Sequence, residues 1–125
     1  MRIYVADDSG IVRKRLEDML MDVPGMELAG EAADATLAFD EIQNLAPEVA
    51  IVDLRMPGDG PHLIRRLKAM PDSPIVIVLT NYATSPYRNR SLQAGADYFL
   101  DKSSDPAELL RILYLMTGAP GQRPH

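Results

Sequence analysis

The chain is 125 residues long, with a formal net charge of −5, 46% hydrophobic residues, 25% charged residues and no cysteine. This composition is typical of a single globular domain with its own core. The lack of cysteine excludes disulfides, thiolate metal sites and thiol catalysis. No apolar run approaches the roughly 20 residues that a membrane-spanning helix needs, and the acidic balance argues against direct binding to nucleic acid. We therefore expect a cytoplasmic domain whose partners are proteins or small ions.

Short apolar runs alternate along the chain with amphipathic segments. The apolar or alternating runs predict strands, at residues 3–6, 26–32, 49–53, 75–79 and 98–100. Capping and proline signals between them predict helices: one after Ser9 that Pro24 and Gly25 end, then 35–45, 63–70, Pro86 to Gly95, and Asp105–Pro106 to about Met116. Five strands alternating with five helices predict an α/β fold, a parallel sheet with helices on both faces. The run at 75–79 is the most apolar, so we expect it at the centre of the sheet.

Polar side chains stand at the carboxyl ends of four of the five predicted strands. Asp7 and Asp8 follow the first strand, Asp53 ends the third, Thr80 follows the fourth and Lys102 follows the fifth. These ends meet at one edge of a parallel sheet, where ligands bind in such folds. Clustered carboxylates raise one another's pKa unless a cation offsets their charge, and Mg²⁺ suits oxygen ligands of this kind. An aspartate flanked by Mg²⁺ and lysine is a competent nucleophile towards phosphorus.

Four motifs in a fixed order carry a family resemblance: ADD at 6–8, VDLRMPG at 52–58, LT at 79–80 and GADYFLDK at 95–102. Together they resemble the receiver domain of bacterial two-component response regulators. The resemblance implies a flavodoxin-like sheet of order 2-1-3-4-5 and a Mg²⁺ cofactor. It further implies that a sensor histidine kinase or phosphotransfer protein donates a phosphoryl group, which makes the domain a switch rather than an enzyme.

The resemblance also assigns roles around the phosphoryl group. Asp53 is the phosphoacceptor, and Asp7, Asp8 and Asp53 hold Mg²⁺ together with the backbone carbonyl of Arg55. The family's phosphoacceptor is an aspartate in a D-x-x-M-P run, which Asp53 opens here.

Three further residues correspond to the switch of that family. Thr80 is the switch hydroxyl, Lys102 pairs with the phosphate and Phe99 is the switch aromatic. Arg55 and Tyr82 flank the attacking water, and since both are bulky we expect slow self-dephosphorylation.

Three positions depart from the commonest pattern of the family. Asn81, bulkier and polar, stands where a small residue usually follows the switch threonine. Ser103 replaces a proline, so a trans peptide bond is expected after Lys102. Phe99 lacks the hydroxyl of the frequent tyrosine, so an inward-turned ring is expected.

We expect residues 1–117 to form the receiver domain. Residues 118–125 contain two glycines and two prolines, which predicts a flexible tail or the start of a linker. The output partner, a separate protein or a further domain, stays open. The fourth helix, fifth strand and fifth helix form the predicted switch face, which could also form a homodimer.

Two other functions remain open from the sequence. One is a binding or scaffold protein of the same fold that is never phosphorylated. The other is a Mg²⁺-dependent phosphatase with Asp53 as nucleophile, although Arg55 occupies the position where such an enzyme has its second aspartate.

Overall fold

Apolar strands and amphipathic helices alternate through residues 1–81, 85–102 and 107–117, the part of the chain that the computed structural model describes. Its strands are β1 Arg2–Ala6, β2 Glu27–Ala32, β3 Val49–Val52, β4 Ile75–Thr80 and β5 Tyr98–Asp101. Its helices are α1 Gly10–Met21, α2 Ala35–Leu45, α3 Gly60–Lys68, α4 Ser85–Ala94 and α5 Ala107–Thr117. The expectations for Tyr82, for Ser103, for the cap at Asp105 and Pro106, and for the tail at 118–125 lie outside the described residues.

The strands form one parallel sheet in the order β2-β1-β3-β4-β5, so the predicted fold and strand order are confirmed. The expectation that the 75–79 run lies at the centre is wrong, because β3 is the central strand and β4 lies beside it. The apolar character of β4 reflects helix packing on both faces of the sheet, a property that it shares with β1 and β3.

The helix starts depend on capping side chains. Ser9 Oγ accepts a hydrogen bond from the backbone N–H of Val12 at 3.2 Å, which confirms Ser9 as the N-cap of α1. Helix α3 begins at Gly60, three residues before the predicted start. Asp59 Oδ1 accepts from the backbone N–H of His62 at 3.0 Å, and a proline in the first turn needs no partner for its nitrogen.

Helices cover the sheet on both faces, and each face has its own apolar cluster. Helices α2, α3 and α4 pack on one face, and α1 and α5 pack on the other. In the part of the chain that the structure describes, no helix combines the length and the apolar character required to cross a bilayer.

The loop after β3 is held against the start of α2. The backbone N–H of Ala35 donates to the Pro57 carbonyl at 3.0 Å, and Met56 is buried. Gly58 has a φ of +95°, and a Cβ there would lie 2.8 Å from the Ala35 Cβ. The loop that follows Asp53 therefore depends on glycine both for its backbone conformation and for its close approach to α2.

We expect Gly58→Ala to lower the free energy of unfolding by about 2–4 kcal/mol, since it combines left-handed backbone strain with overpacking. Gly25→Ala is the matched control, because Gly25 also has a positive φ, +81°, but an added Cβ would meet nothing within 4 Å. Urea denaturation of both variants measures the difference. Equal losses would mean that the contact with Ala35 contributes nothing.

Candidate functional site

The polar residues at the strand ends are positioned by the sheet itself. Its hydrogen-bond ladder continues past the strands at three places: Asp7 N–H to the Ala32 carbonyl at 3.0 Å, Asp53 N–H to Ala6 at 2.9 Å, and Lys102 N–H to Thr80 at 2.9 Å. These bonds fix the backbone from which the site's side chains extend. The site is therefore built on the sheet rather than on a free loop.

The ammonium group of Lys102 lies between two buried carboxylates. Its Nζ is 2.6 Å from Asp7 Oδ2 and 2.8 Å from Asp53 Oδ2. The side chain of Lys102 is only 12% exposed, and each carboxylate side chain is 3% exposed. One positive charge thus lies between two negative charges inside the protein and neutralises only one of them.

The other oxygen of each buried carboxylate accepts a hydrogen bond from a backbone N–H two residues later. Ser9 N–H donates to Asp7 Oδ1 at 2.9 Å, and Arg55 N–H donates to Asp53 Oδ1 at 3.2 Å. Both carboxylates are consequently held in one orientation, with every oxygen partnered as buried polar groups require.

The pKa shifts reflect the shared ammonium. Burial raises the pKa of the Asp7 carboxyl, and the charge of Asp53 adds to this, while the hydrogen bonds from Lys102 and Ser9 only partly oppose it. Burial alone would lower the pKa of the Lys102 ammonium, but hydrogen bonds to Asp53 and Asp7 outweigh it and raise that pKa. The two shifts agree physically, because one ammonium cannot offset the desolvation of two carboxylates.

Asp8 completes an acidic cluster with the two buried carboxylates. One carboxylate oxygen from each of Asp7, Asp8 and Asp53 lies within 4.8 Å of the others, and Asp8 is exposed to solvent. Hard oxygen ligands with excess negative charge and an open side suit Mg²⁺, which keeps several of its waters. The residues present therefore fit the expected ion.

Thr80 and Phe99 lie on the neighbouring strands β4 and β5, and the Thr80 carbonyl accepts the Lys102 N–H. Thr80 is the last residue of β4 and is fully buried. Phe99 on β5 pairs with Val78, so strand alternation puts Thr80 and Phe99 on the same face of the sheet. Phe99 is half-buried on the face of the sheet that α2, α3 and α4 cover. The Arg88 guanidinium carbon lies 5.7 Å from the centroid of its ring.

Arg55 and Asn81 lie at the rim of the site. Both are exposed, and the backbone N–H of Arg55 donates to Asp53 Oδ1. Tyr82 belongs to the residues that the structure does not describe, so its predicted position beside the site is not tested.

Sequence reasoning missed one basic residue beside the acidic pair. Arg13 Nη1 donates to the backbone carbonyl of Asp7 at 2.7 Å, and its Nε pairs with Glu31 Oε1 at 2.8 Å. The available signal was helical spacing, since Arg13 lies four residues after the N-cap Ser9 and so faces back towards the strand end.

Comparison with known proteins assigns the chain to a family. A sequence model of the response regulator receiver domain matches residues 3–114. The chain belongs to this family. Its receiver domain is similar to response regulator GacA of Pseudomonas viridiflava, with 33% identity over 98% of this chain and 57% of that protein. It is also similar to the uncharacterized transcriptional regulatory protein YhcZ of Bacillus subtilis, with 36% identity over 89% of this chain and 52% of that protein.

The chain thus spans about half the length of these curated relatives. It also matches a protein-glutamate methylesterase/protein-glutamine glutaminase of Koribacter versatilis, at 32% identity over 87% of this chain but only 31% of that protein. Receiver segments therefore occur in longer proteins with different named activities.

Solved receiver domains have the same fold. The isolated domain of RcsB from Salmonella enterica serovar Typhimurium, with the phosphomimetic BeF₃⁻, gives a TM-score of 0.85 at 28% identity over 98% of this chain and 94% of that chain. The BeF₃⁻-activated receiver domain of Klebsiella pneumoniae RstA gives 0.83 at 26% identity, over 92% and 97%.

In metal-free buffer we expect Asp7→Asn to be at least as stable as the wild-type domain, because it removes a buried charge that Lys102 compensates only in part. Lys102→Met should lower the free energy of unfolding by about 3 kcal/mol, since it leaves two buried carboxylates without a cation. The measurement is urea denaturation in the presence of a chelator.

The double variant Asp7→Asn/Lys102→Met completes a double-mutant cycle with these two single variants. Asp7→Asn should stabilise the Lys102→Met variant by more than it stabilises the wild type, since without the ammonium nothing offsets the burial of the Asp7 charge. An equal effect of Asp7→Asn in both backgrounds would show that Asp7 and Lys102 do not interact.

Proposed function

We propose that this receiver domain accepts a phosphoryl group on Asp53 from the phosphohistidine of a sensor histidine kinase or phosphotransfer protein. The observation that carries the proposal is the environment of the Asp53 carboxylate. It is buried and oriented by the Arg55 N–H, it contacts the Lys102 ammonium, and it lies within reach of Asp7 and Asp8.

The chemistry is a phosphoryl transfer between two nucleophiles. A carboxylate oxygen of Asp53 attacks phosphorus, an acyl phosphate bond forms and the phosphorus–nitrogen bond to the donor imidazole breaks. The electron pair of that bond returns to the imidazole nitrogen. The entropic cost is low because the backbone already holds the carboxylate in one orientation.

Positive charge is needed where phosphoryl oxygens arrive. Lys102 supplies it by exchanging its bond with Asp53 Oδ2 for a phosphoryl oxygen while keeping its bond with Asp7. Mg²⁺ held by Asp7, Asp8, Asp53 and the Arg55 carbonyl would offset the remaining negative charge of the cluster and of the phosphoryl group.

In this proposal phosphorylation changes the surface formed by α4, β5 and α5 through Thr80 and Phe99. Thr80 moves towards the phosphoryl oxygens, Phe99 turns further inward, and a pre-existing equilibrium at α4, β5 and α5 shifts. Exposed aromatic residues support this face as an output or homodimer surface, since Tyr87 on α4 and Tyr98 on β5 are 41% and 40% exposed.

We also propose residues 1–117 as the receiver unit and 118–125 as a tail or the start of a linker. Within that unit the domain acts as a phosphorylated switch that binds another protein or domain, and not as an enzyme. The phosphatase alternative is less well supported, because the basic Arg55 stands where that mechanism needs a second carboxylate.

Incubation with Mg²⁺ and acetyl phosphate should add one phosphoryl group to the wild-type domain and none to Asp53→Asn, as measured by intact mass. Asp72→Asn is the matched control, because Asp72 is exposed in the turn before β4, at the amino ends of the strands and away from the site. Absence of the adduct from the wild type with every donor would leave the scaffold function.

Asp8→Asn should be phosphorylated at least tenfold more slowly at limiting Mg²⁺, since it loses a metal ligand.

We expect the acyl phosphate to be long-lived, because the family resemblance puts two bulky residues, Arg55 and Tyr82, on either side of the attacking water. Replacing both with alanine should speed loss of the phosphoryl group by about tenfold, which corresponds to about 1.4 kcal/mol in the barrier. The decay is followed by intact mass after removal of the donor. Equal lifetimes in wild type and variant would refute this role.

A further inference from the structure

Arg13 joins the backbone of the acidic pair to the edge strand of the sheet. Its Nη1 donates to the carbonyl of Asp7, and its Nε pairs with Glu31 on β2. The Arg13 side chain is 20% exposed and that of Glu31 is 39% exposed, so the bridge lies at the border of the site. Since a guanidinium is planar and presents its donors in a rigid fork, both contacts fix its orientation.

The Asp7 carbonyl belongs to the peptide bond that leads into Asp8. That peptide is planar, so holding its oxygen also fixes the direction in which the Asp8 Cα is presented. The N–H of Asp7 is already bonded to Ala32, and the N–H of Ser9 is bonded to the Asp7 side chain. The Arg13 contact is the side-chain bond that restrains the peptide plane between them.

The Asp8 carboxylate has little else to direct it. It is exposed, and among the described residues no side chain forms a hydrogen bond or ion pair with it. Its position relative to Asp7 and Asp53 therefore depends on the backbone that carries it.

We propose that Arg13 is a positioning residue of the cation site, which holds the Asp7–Asp8 peptide so that the Asp8 carboxylate points towards the ion. Glu31 holds the guanidinium in place and neutralises its charge beside the acidic cluster. The inference rests on the proposed Mg²⁺ site and adds to it a basic residue that does not touch the ion.

Repulsion of the ion by Arg13 and positioning of Asp8 by Arg13 predict opposite changes in Mg²⁺ affinity when Arg13 is removed. A guanidinium close to a cation site repels the ion, so removing it would strengthen Mg²⁺ binding if charge were its only effect. Removing a group that orients a ligand weakens binding, typically by tenfold or more. The sign of the change therefore separates the two roles.

The experiment measures Mg²⁺ dissociation constants by isothermal titration at a low and a high ionic strength for wild type, Arg13→Gln, Glu31→Gln and the double variant. We expect Arg13→Gln to weaken binding about tenfold. The double variant, which leaves the net charge unchanged, should weaken it similarly. Glu31→Gln should cause a smaller loss that shrinks as salt is raised, since the glutamine amide oxygen can still accept the hydrogen bond from Arg13 and what is lost is the negative charge. Arg13→Lys, which keeps one donor and the charge, should recover part of the affinity.

A metal-free readout tests the positioning directly. ¹⁵N relaxation of the Asp8 and Ser9 amides should show larger fast motion in Arg13→Gln and in the double variant than in wild type or Glu31→Gln. Urea denaturation of the same proteins identifies any general loss of stability, which would move all amides rather than these two.

Binding of Mg²⁺ to Arg13→Gln as tight as or tighter than to wild type would overturn the inference and leave the metal site intact. Failure of the wild-type domain to bind Mg²⁺ at all would refute the metal site and the inference together. The two failures are therefore distinguishable within one set of titrations.

Discussion

The ammonium of Lys102 between the carboxylates of Asp7 and Asp53 is the interaction on which the site depends. It allows two acids to be buried side by side at the end of the sheet, at 2.6 and 2.8 Å from one nitrogen. Because it neutralises only one of them, the site retains negative charge, and Asp8 beside it completes a set of oxygen ligands that suits a cation. The same incomplete compensation explains why burial raises the pKa of Asp7 even next to a lysine.

The parallel sheet makes this arrangement rigid. Backbone hydrogen bonds that extend the ladder beyond β1, β3 and β5 hold the residues that carry the site, and Gly58 allows the loop after Asp53 to pack closely on α2. A site fixed in this way can accept a ligand with little reorganisation. Thr80 and Phe99 share the face of the sheet on which α4 packs.

Much of the site could be predicted from the sequence, because its chemistry lies in residue types at strand ends. Asp7, Asp8, Asp53 and Lys102 were all expected together, and the structure brings them together. The errors have physical causes. The apolar content of β4 shows that both of its faces are buried, but it does not show where the strand lies in the sheet. Helix α3 begins earlier than its hydrophobic period indicated, because Asp59 caps it and a proline stands in its first turn. Arg13 was missed because helical spacing places it near the strand end but does not indicate its partner, a backbone carbonyl of the kind that every residue carries.

By itself the sequence determined the alternation of strands and helices, the acids and the lysine at the strand ends, and the family to which the motifs belong. Local periodicity and residue chemistry suffice for these properties. Only the tertiary structure decided which strand is central, that Asp7 is buried while the adjacent Asp8 is exposed, and that Arg13 reaches the Asp7 carbonyl. These features depend on distances between segments far apart in the chain, which are set by how the helices and strands pack and not by any one segment.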